Sequence, residues 1–515
     1  MLARLMRLGL MGLAVAGGLL FVALGLIHMR YPVEMDFIEG AMMDQIARLA
    51  RGEAMYVAPT AQYVPLAYMP LYSAVVALIG RCFGVDFWTG RLVSYLSTLG
   101  VASMIGYNVG REARDRGWGV IAGGIYLMGY GVAAGGHFDA IRPDSLMLFL
   151  ALAGLTILRW RDGVGSAMFA AAIMVLSFFT KQHGMWFLFV AMTHLVINDR
   201  RRLLPFAAVA IVGCAGGYGL LSLWLGPWFN FYTWNIPSHW SQLSSLRIKA
   251  YIGDGLLGHL GPLMVPTLLA LGVGEPPWKG RAGVWTWVLV GGLGTGLLAT
   301  LDPHAWRHVF MPTFMTLCIA GPIALSRMES EFIRLSPSAG ARASVAISLL
   351  LAGQFIPLIY SIGLERGHRN AAEARAQFVQ LLRELPGPVW VPTHGFYASL
   401  AGKAPGMQFI AIDDIERAPG NSLLLRDPKF LDRMVEELRS GPDRPFIVAD
   451  GPLEKVGPIW GRIAEGYRVI REIPEWSEGL AGITGHRTRP DRIYAPIPAD
   501  SIADTGPFTV PIRRE

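Results

Sequence analysis

Three acidic residues stand close together near the start of the chain, directly after the first long apolar segment. They are Glu34, Asp36 and Glu39. A carboxylate can take the proton from an attacking hydroxyl, so an acid held at a membrane surface is a candidate general base. Asp36 and Glu39 are three residues apart, and a helix beginning here would place both on one face. They would then lie in its first turn, where the macrodipole favours anions; a helix cap in a solvated loop is the structural alternative.

Further ionisable or polar residues lie in three short segments between apolar segments. They are Asp139, Arg142 and Asp144 in the first, Lys181 and Gln182 in the second, and Arg307 in the third. Ionisable groups at membrane depth are costly and are functional candidates by default. Arginine suits an anionic ligand because its guanidinium matches phosphate oxygens in a bidentate fork. The structural alternatives are that Asp144 caps the following helix and that Arg142 and Lys181 extend to the membrane surface.

Metal-binding patterns are weak in this sequence. His304 and His308 are four residues apart, but no glutamate completes an HExxH pattern. Cys82, Cys214 and Cys318 are far apart and form no CxxC pair. We therefore predict neither a metal site nor a disulfide framework. No cofactor is expected, and a divalent metal is not indicated.

The composition is that of an integral membrane protein. Of 515 residues, 53% are hydrophobic and 16% are charged, whereas soluble domains carry about 25% charged residues. The mean hydropathy is +0.40. Because the net charge of +7 comes from short loops between apolar segments, it indicates membrane orientation rather than nucleic-acid binding. The first apolar segment, residues 8–27, offers no small-residue cleavage site, which favours a retained transmembrane helix over a signal peptide.

Apolar segments long enough to cross a membrane run along most of the chain. They are near 8–28, 91–110, 118–135, 145–159, 166–180, 184–198, 204–225, 252–273, 284–301, 308–326 and 342–362. Basic clusters between them should face the cytoplasm. All of these clusters do so only if a further apolar segment, 69–83, lies at the membrane surface instead of crossing. We therefore predict 11 spans, a cytoplasmic N-terminus and a first external loop over residues 30–90.

The chain changes character after residue 362, where the apolar runs become short. Runs typical of buried strands occur at 389–391, 409–412, 446–449 and 467–470, and helical spacing occurs at 430–438. Strands that alternate with helices indicate a small α/β domain. The sequence thus predicts a transmembrane domain over residues 1–362 and an external α/β domain over 363–515. Residues from 488 onward are rich in proline and charge and are expected to be loosely ordered.

The order of these motifs resembles the GT-C superfamily of integral-membrane glycosyltransferases. The closest likeness is to the branch containing lipid A aminoarabinose transferases, protein O-mannosyltransferases and bacterial RgtA/B/C/D-like proteins. It covers residues 1–325, and its motifs are MDFIEG at 35–40, LARGEAMY at 49–56 leading to YMPLY at 68–72, GRL at 90–92, IRPD at 141–144, KQ at 181–182 and WR at 306–307. Many relatives carry adjacent acids in the first motif, whereas two residues separate Asp36 from Glu39.

The resemblance implies an α-helical polytopic fold and an inverting glycosyltransferase. The sugar would move from a polyprenyl-phosphate donor to an acceptor hydroxyl at the external face of the cytoplasmic (inner) membrane. Asp36 or Glu39 would be the base. A phosphate leaving group needs positive charge but no general acid. The implied substrate-binding residues are Tyr68, Asp139, Arg142, Asp144, Lys181, Gln182 and Arg307.

The implied partners are the lipid-linked donor, membrane lipids and a lipid, glycan or protein acceptor, with no nucleic acid. Two other functions compete with transfer. A transporter or flippase of lipid-linked sugars would also carry ionisable residues at membrane depth, but such proteins commonly show internal repeats, and the sequence shows none. A non-catalytic scaffold acting through its C-terminal region is the second alternative.

Overall fold

Helices form the membrane part of the chain in the computed structural model, which describes residues 2–240, 244–273, 276–302, 305–360, 365–441, 443–485 and 487–498. The helices are α1 Leu2–Arg30, α2 Ile38–Ala50, α3 Pro70–Phe83, α4 Phe87–Glu112, α5 Arg116–Met128, α6 Asp144–Trp160, α7 Val164–Thr180, α8 Gly184–Asn198, α9 Arg200–Leu225, α10 Ser245–His259, α11 Gly261–Leu271, α12 Val284–Thr300, α13 Met311–Leu335 and α14 Pro337–Phe355. Shorter helical segments are Pro227–Asn230, Phe231–Asn235, Ile236–Ser238, Arg281–Gly283, Arg307–Phe310 and Ile356–Leu358.

Six helices within the described ranges are long and apolar enough to cross a membrane. They are α1, α4, α9, α12 with its preceding turn, α13 with its preceding turn, and α14 with its following turn. The helices α10 and α11 qualify only as a pair, bent by 93°. The protein is therefore a multi-pass membrane protein, as predicted, while the number of 11 crossings stays a prediction. At the centre lies α13, whose first sixteen residues are all buried.

Two of the predicted segments differ from the structure. The segment 118–135 ends early, because α5 stops at Met128 and the chain then turns through a buried loop. In this loop Gly135 and Gly136 have φ angles of +60° and +81°, which glycine adopts without steric cost. The segment 252–273 is bent at Leu260, beside Pro262, which cannot donate a helical hydrogen bond.

The C-terminal region forms a small α/β unit, as predicted. Its helices are α15 Ala371–Glu384, α16 Phe409–Glu416, α17 Phe430–Ser440 and α18 Pro458–Ala464, with short segments at Tyr397–Leu400, Ser422–Arg426, Leu453–Lys455 and Glu475–Leu480. Its strands are β1 Val389–Trp390, β2 Phe446–Ala449, β3 Tyr467–Glu472 and β4 Arg492–Pro496, in the order β1-β2-β4-β3. The β1–β2 pair is parallel, and β4 runs antiparallel to both of its neighbours.

Two expectations for this region were wrong. Residues 409–412 belong to helix α16 and not to a strand, because a four-residue apolar run fits a buried helix turn as well as a strand. Residues 492–496 form the inner strand β4, although order was not expected there. The predicted domain boundary at 362/363 and the end of the chain from 499 onward lie outside the described residues.

The segment 30–90, predicted to be the first external loop, lies between the helical bundle and the C-terminal region. One buried apolar cluster joins α2 and the loop after it to β1, β2, α16 and α17. A second cluster joins Tyr31, Val33 and Met35 to α15 and to the other face of the sheet. Burial of these apolar side chains stabilises the contact between the two parts. The C-terminal region therefore helps to determine the conformation of the loop that carries the three early acids.

Candidate active site

Asp36 is completely buried just before helix α2 begins. Arg142 donates to its Oδ2 atom from Nε at 2.8 Å and from Nη2 at 2.5 Å. The Nε2 atom of His137 lies 3.6 Å from the same oxygen. The other oxygen, Oδ1, accepts no hydrogen bond from any residue that the structure describes. Asp36 thus combines a carboxylate restrained at one oxygen with a second buried oxygen that has no hydrogen-bond partner among the described residues.

The charges around Asp36 keep it ionised. Burial by itself raises the pKa of a carboxyl group, but the Arg142 guanidinium and the nearby His137 outweigh burial and lower the pKa of Asp36 to about 2. Helix α2 begins at Ile38, so Asp36 is not in its first turn, in contrast to the expectation that one helical face carries both acids. The two side chains diverge towards different arginines.

Asp144 and Lys181 form a second ion pair close to the first. The Nζ atom of Lys181 donates to Oδ1 of Asp144 at 2.7 Å, and Oδ2 of Asp144 has no partner among the described residues. The hydroxyl of Tyr68 lies within the electrostatic field of Arg142, Asp144 and Asp36. Burial is the main cause that raises its pKa. Tyr68, on the first external loop, therefore lies beside both ion pairs.

Two of the predicted binding residues lie at the edge of this group. Arg307 is exposed and makes no hydrogen bond or ion pair to the described residues. Its side chain packs against Gly135, where an added Cβ would be 2.8 Å from the Arg307 Cβ atom. Gln182 donates from Nε2 to the backbone oxygen of Thr233 at 3.0 Å, and so joins the turn before α8 to the aromatic segment after α9.

Histidines also line this region, and the predicted set of binding residues did not include them. The rings of His137 and His308 have centroids 5.5 Å apart. The Nδ1 atom of His137 is 2.9 Å from the backbone oxygen of Ala134, so the ring presents Nε2 to Asp36. Arg142, Lys181, His137 and His183 all lie near His308. This concentration of basic groups around two carboxylates makes the region suitable for an anion.

Glu39 has a different environment, because every lone-pair direction of its carboxylate is occupied. Arg91 contacts Oε1 at 3.3 Å and Oε2 at 2.6 Å. The backbone N–H groups of Ile141 and Met35 donate to the two oxygens at 2.9 and 2.8 Å. Arg91 also donates to three backbone oxygens, at His28, Tyr31 and Val33. The Glu39–Arg91 pair therefore connects the first external loop to α4 and to the segment between α5 and α6.

Asp139 also lies apart from the ion pairs at Asp36 and Asp144. Its Oδ2 atom is 2.7 Å from Nδ1 of His28, at the end of α1. The Nε2 atom of His28 is in turn 2.7 Å from the backbone oxygen of Glu365. The structure thus brings Asp36, Arg142, Asp144, Lys181 and Tyr68 together, with Arg307 at the rim. Glu39 and Asp139 instead connect elements around this group.

A segment from the far end of the chain covers Asp36. The backbone N–H groups of Ile483 and Thr484 donate to the oxygen of Met35 at 2.9 and 2.8 Å. The next residue, Gly485, has a φ angle of +64°, and a Cβ added there would be 2.8 Å from Oδ1 of Asp36. Glycine at this position leaves space at the open oxygen. No local sequence pattern indicates this contact, because almost 450 residues separate Met35 from Thr484.

A resident metal ion has no evident set of ligands in this part of the chain. Within the described ranges, no three His, Cys, Asp or Glu side chains converge on one point. His304, the partner of His308 in the weak metal pattern, lies outside the described residues.

The chain is similar to solved structures, although no sequence comparison finds a match. In sequence, no family model and no curated protein matches the chain. In structure, it is similar to ArnT from Cupriavidus metallidurans bound to undecaprenyl phosphate, with a TM-score of 0.57, 15% identity and coverage of 93% of this chain and 98% of that chain. The apo ArnT structure gives a TM-score of 0.57, 15% identity and coverage of 96% and 99%.

An archaeal enzyme shares the same architecture. The apo oligosaccharyltransferase of Archaeoglobus fulgidus matches with a TM-score of 0.54, 11% identity and coverage of 88% of this chain and 73% of that chain. ArnT and oligosaccharyltransferase are both GT-C superfamily glycosyltransferases. The predicted GT-C fold is therefore confirmed, from α1 into the C-terminal region.

Proposed function

We propose that this protein is an inverting glycosyltransferase that moves a sugar from a polyprenyl-phosphate donor to an acceptor hydroxyl. The observation that carries the proposal is the open Oδ1 of a buried, ionised Asp36 whose other oxygen is held by Arg142. A base restrained at one oxygen and free at the other can take a proton from a bound hydroxyl. The fold shared with ArnT and oligosaccharyltransferase supports the same class of reaction.

In the proposed reaction the Asp36 carboxylate accepts the proton of the acceptor, and the basic residues stabilise the phosphate that leaves. The acceptor oxygen attacks the anomeric carbon of the sugar, and its proton passes to Oδ1 of Asp36. The bond between that carbon and the phosphate oxygen breaks, and its electron pair leaves with the polyprenyl phosphate. Attack from the side opposite the leaving group inverts the anomeric centre. The phosphate needs no proton, because Arg142, Lys181 and Arg307 stabilise its negative charge.

Arg142 also links donor binding to the strength of the base. With a pKa of about 2, Asp36 is a weak base, since an efficient general base has a pKa near the operating pH. The Nη1 atom of Arg142 has no partner among the described residues, and guanidinium binds phosphate oxygens as a fork. A donor phosphate that draws Arg142 away leaves Asp36 buried with less positive charge beside it, so its pKa rises. The base is then activated only when the donor is present.

Asp36 is favoured over Glu39 as the base. All directions around the Glu39 carboxylate are occupied by Arg91 and by two backbone N–H groups, so Glu39 would have to break a hydrogen bond to accept a proton. Asp36 requires no such loss at Oδ1. We further propose that the site faces the external side of the cytoplasmic membrane, with the N-terminus inside, because the basic loops then all face the cytoplasm.

The undecaprenyl phosphate bound to ArnT supports a lipid phosphate as the carrier here as well. A polyprenyl chain is soluble only in the bilayer, whereas the sugar and its phosphate need a polar site. We assign that polar site to the region lined by Tyr68, Arg142, Asp144 and Lys181, with the exposed Arg307 at its rim. The acceptor is a hydroxyl of a lipid, a glycan or a protein.

Substitution of the base tests the proposal. Membrane glycolipids and surface glycans are analysed by mass spectrometry in cells that lack the protein and in cells that express wild type, Asp36→Asn or Asp162→Asn. Asp162 is an exposed acid in the turn between α6 and α7, away from the site, and serves as the matched control. We expect a glycan that depends on wild type and on Asp162→Asn, with Asp36→Asn reducing transfer by about 10²–10⁴-fold.

Two outcomes would overturn the proposal. No difference between cells with and without the protein would favour a scaffold. Full formation of the glycan by Asp36→Asn, at wild-type protein level, would remove Asp36 as the base.

A further inference from the structure

A buried histidine of the C-terminal region lies between two carboxylates from different parts of the chain. The Nδ1 atom of His394 is 2.6 Å from Oε2 of Glu34, and its Nε2 atom is 2.8 Å from Oδ2 of Asp450. His394 is 2% exposed, and Glu34 is completely buried. Glu34 precedes Asp36 by two residues, whereas Asp450 follows strand β2. The proposed reaction makes no direct use of any of these three residues.

Each ring nitrogen of His394 faces an oxygen that can only accept while the carboxyl group is ionised. Two hydrogen bonds therefore require protons on both nitrogens, or a proton on one of the carboxyl groups. In either case protons bridge the three side chains. Charge-assisted hydrogen bonds of this kind are stronger than neutral ones. The contact thus holds Glu34 more firmly than an apolar contact of the same size would.

The turn that carries His394 is built to fit closely against α2. Gly395 packs against Gly40 so closely that a Cβ on Gly40 would be 2.6 Å from the Gly395 oxygen. Phe396 has a φ angle of +65°, which is strained for a residue with a side chain. Its N–H group donates to Oδ2 of Asp44 at 2.9 Å, and the Ser399 hydroxyl donates to Oδ1 of Asp44 at 2.9 Å.

The segment 34–36 is consequently fixed at each residue. Glu34 is held by His394, and its N–H group donates to the Tyr397 hydroxyl at 3.3 Å. Met35 donates to Glu39 and accepts from Thr484. Asp36 is held by Arg142. Two of these three residues are thus restrained by the C-terminal region.

We propose that His394, supported by Asp450, is a positioning residue that holds Glu34 and thereby keeps Asp36 in its catalytic position. The C-terminal region is then a structural part of the active site and not an accessory domain. This inference rests on the proposed role of Asp36 as the base. A displacement of the reacting group by 1 Å can cost on the order of 100-fold in rate, so a distant contact that sets this position affects turnover more than binding of the donor.

The test compares substitutions inside the contact with one on the same turn outside it. His394→Gln breaks the bridge between Glu34 and Asp450, and Asp450→Asn removes the charge that supports the histidine; both changes keep a side chain of similar size. Ser399→Ala removes a contact of the turn with Asp44 but leaves two other donors to Asp44, from Phe396 and Gln408. Full-length proteins in detergent are compared by hydrogen exchange of the peptide covering residues 31–40, and by the kcat and KM of sugar transfer from the lipid-linked donor.

For His394→Gln and Asp450→Asn we expect amide exchange in residues 31–40 to become about 10-fold faster. We expect kcat to fall on the order of 100-fold and the KM for the donor to stay within about twofold, because its phosphate contacts remain. Ser399→Ala should change neither exchange at 31–40 nor kcat.

Exchange at 31–40 that is unchanged in both variants, or raised equally by Ser399→Ala, would overturn the positioning role. Faster exchange with unchanged kcat would overturn it as well, provided that Asp36→Asn abolishes transfer in the same assay. If Asp36→Asn leaves transfer intact, the proposed function fails instead, and the exchange result still decides whether His394 holds the loop.

Discussion

Two carboxylates three residues apart in the first external loop, Asp36 and Glu39, each pair with an arginine from elsewhere in the chain, and the surroundings of the two pairs differ. Glu39 and Arg91 are both fully buried, and the pair has no unused oxygen in its carboxylate. Asp36 and Arg142 are also buried, but Oδ1 of Asp36 is open, and Arg142 donates only to Oδ2 of Asp36 among the described residues. In the Glu39–Arg91 pair every carboxylate oxygen accepts its hydrogen bonds, whereas in the Asp36–Arg142 pair one carboxylate oxygen accepts none from the described residues.

This difference separates a structural ion pair from a reactive one. A buried ion pair stabilises a fold only when further hydrogen bonds satisfy both ions, and the Glu39–Arg91 pair meets that condition. The Asp36–Arg142 pair leaves capacity on both ions, which costs stability in the absence of a ligand. Open hydrogen-bonding capacity in a buried ion pair is what an incoming phosphate and an incoming hydroxyl would use. The comparison predicts different effects for identical substitutions at the two arginines.

The largest effect on stability is expected for Arg91→Lys. Lysine keeps the charge but cannot span Glu39 and the backbone oxygens of His28, Tyr31 and Val33. At least two buried acceptors would lose their donor, at a cost of about 2–4 kcal/mol in the free energy of unfolding. We expect a lower melting temperature in detergent and less protein in the membrane. An unchanged melting temperature would show that this pair does not hold the loop.

The same substitution at the other pair, Arg142→Lys, is expected to reduce catalysis more than stability. One lysine N–H can still donate to Oδ2 of Asp36, so the buried carboxylate keeps a positively charged partner. The fork for a phosphate is lost, and kcat should fall on the order of 100-fold, measured as sugar transfer per folded protein. Arg91→Lys provides the control for a general loss of stability. If both variants lose the same melting temperature and Arg142→Lys transfers sugar normally, the Asp36–Arg142 pair is structural like the Glu39–Arg91 pair and not reactive.

The membrane architecture was predictable because hydropathy reports it directly. Long apolar segments separated by basic loops indicated a polytopic protein, and six of the described helices satisfy length and composition for crossing. The end of α5 was not predictable from hydropathy, because residues 129–134 are apolar, although Gly129 packs against Phe314 of α13 and Gly131 packs against Tyr360. Strand β4 was missed because proline and charge dominate its surroundings, whereas its place between β2 and β3 depends on distant pairing.

The candidate site was predictable only as far as its local motifs extend. Asp36, Arg142, Asp144 and Lys181 lie in polar segments between apolar ones, and the fold brings them together. The residues that hold the neighbouring acids Glu39 and Glu34 could not be predicted in this way. Arg91 within an apolar segment gave no sign that it would bind Glu39, and His394 is 360 residues from Glu34. Such contacts depend on how distant parts of the chain pack on the loop, and no local sequence pattern indicates that packing.

A third carboxylate of the same loop, Glu34, differs from Asp36 in the direction of its pKa shift. Burial raises the pKa of Glu34 to about 8, although His394 partly offsets it. Burial would lower the pKa of His394, but the Asp450 and Glu34 carboxylates outweigh it and raise that pKa to about 10. Glu39 and Asp450 also face Glu34 and oppose its ionisation. Asp36, by contrast, has its pKa lowered to about 2.

These opposite shifts predict opposite effects on stability. Glu34 holds a proton in the folded protein that the unfolded chain releases above its ordinary pKa of 4.5, and His394 does the same above 6.5. Their contribution is therefore lost as pH rises through about 8 and about 10. The contribution of Asp36 is present above its ordinary pKa of 3.8 and is lost only as pH falls towards about 2. Of these three groups, only Glu34 and His394 should respond between pH 6 and 9.

We accordingly expect the melting temperature in detergent to fall by roughly 3–6 °C between pH 6 and pH 9. Glu34→Gln cannot ionise and should show a smaller fall, while Asp36→Asn should keep the full wild-type slope because Asp36 stays charged throughout this range. Thermal unfolding of the three proteins at matched ionic strength measures the difference. A slope that is the same in Glu34→Gln as in wild type would mean that the proton between the loop and the C-terminal region does not contribute to stability, and that the two parts are held by their apolar contacts and their other hydrogen bonds.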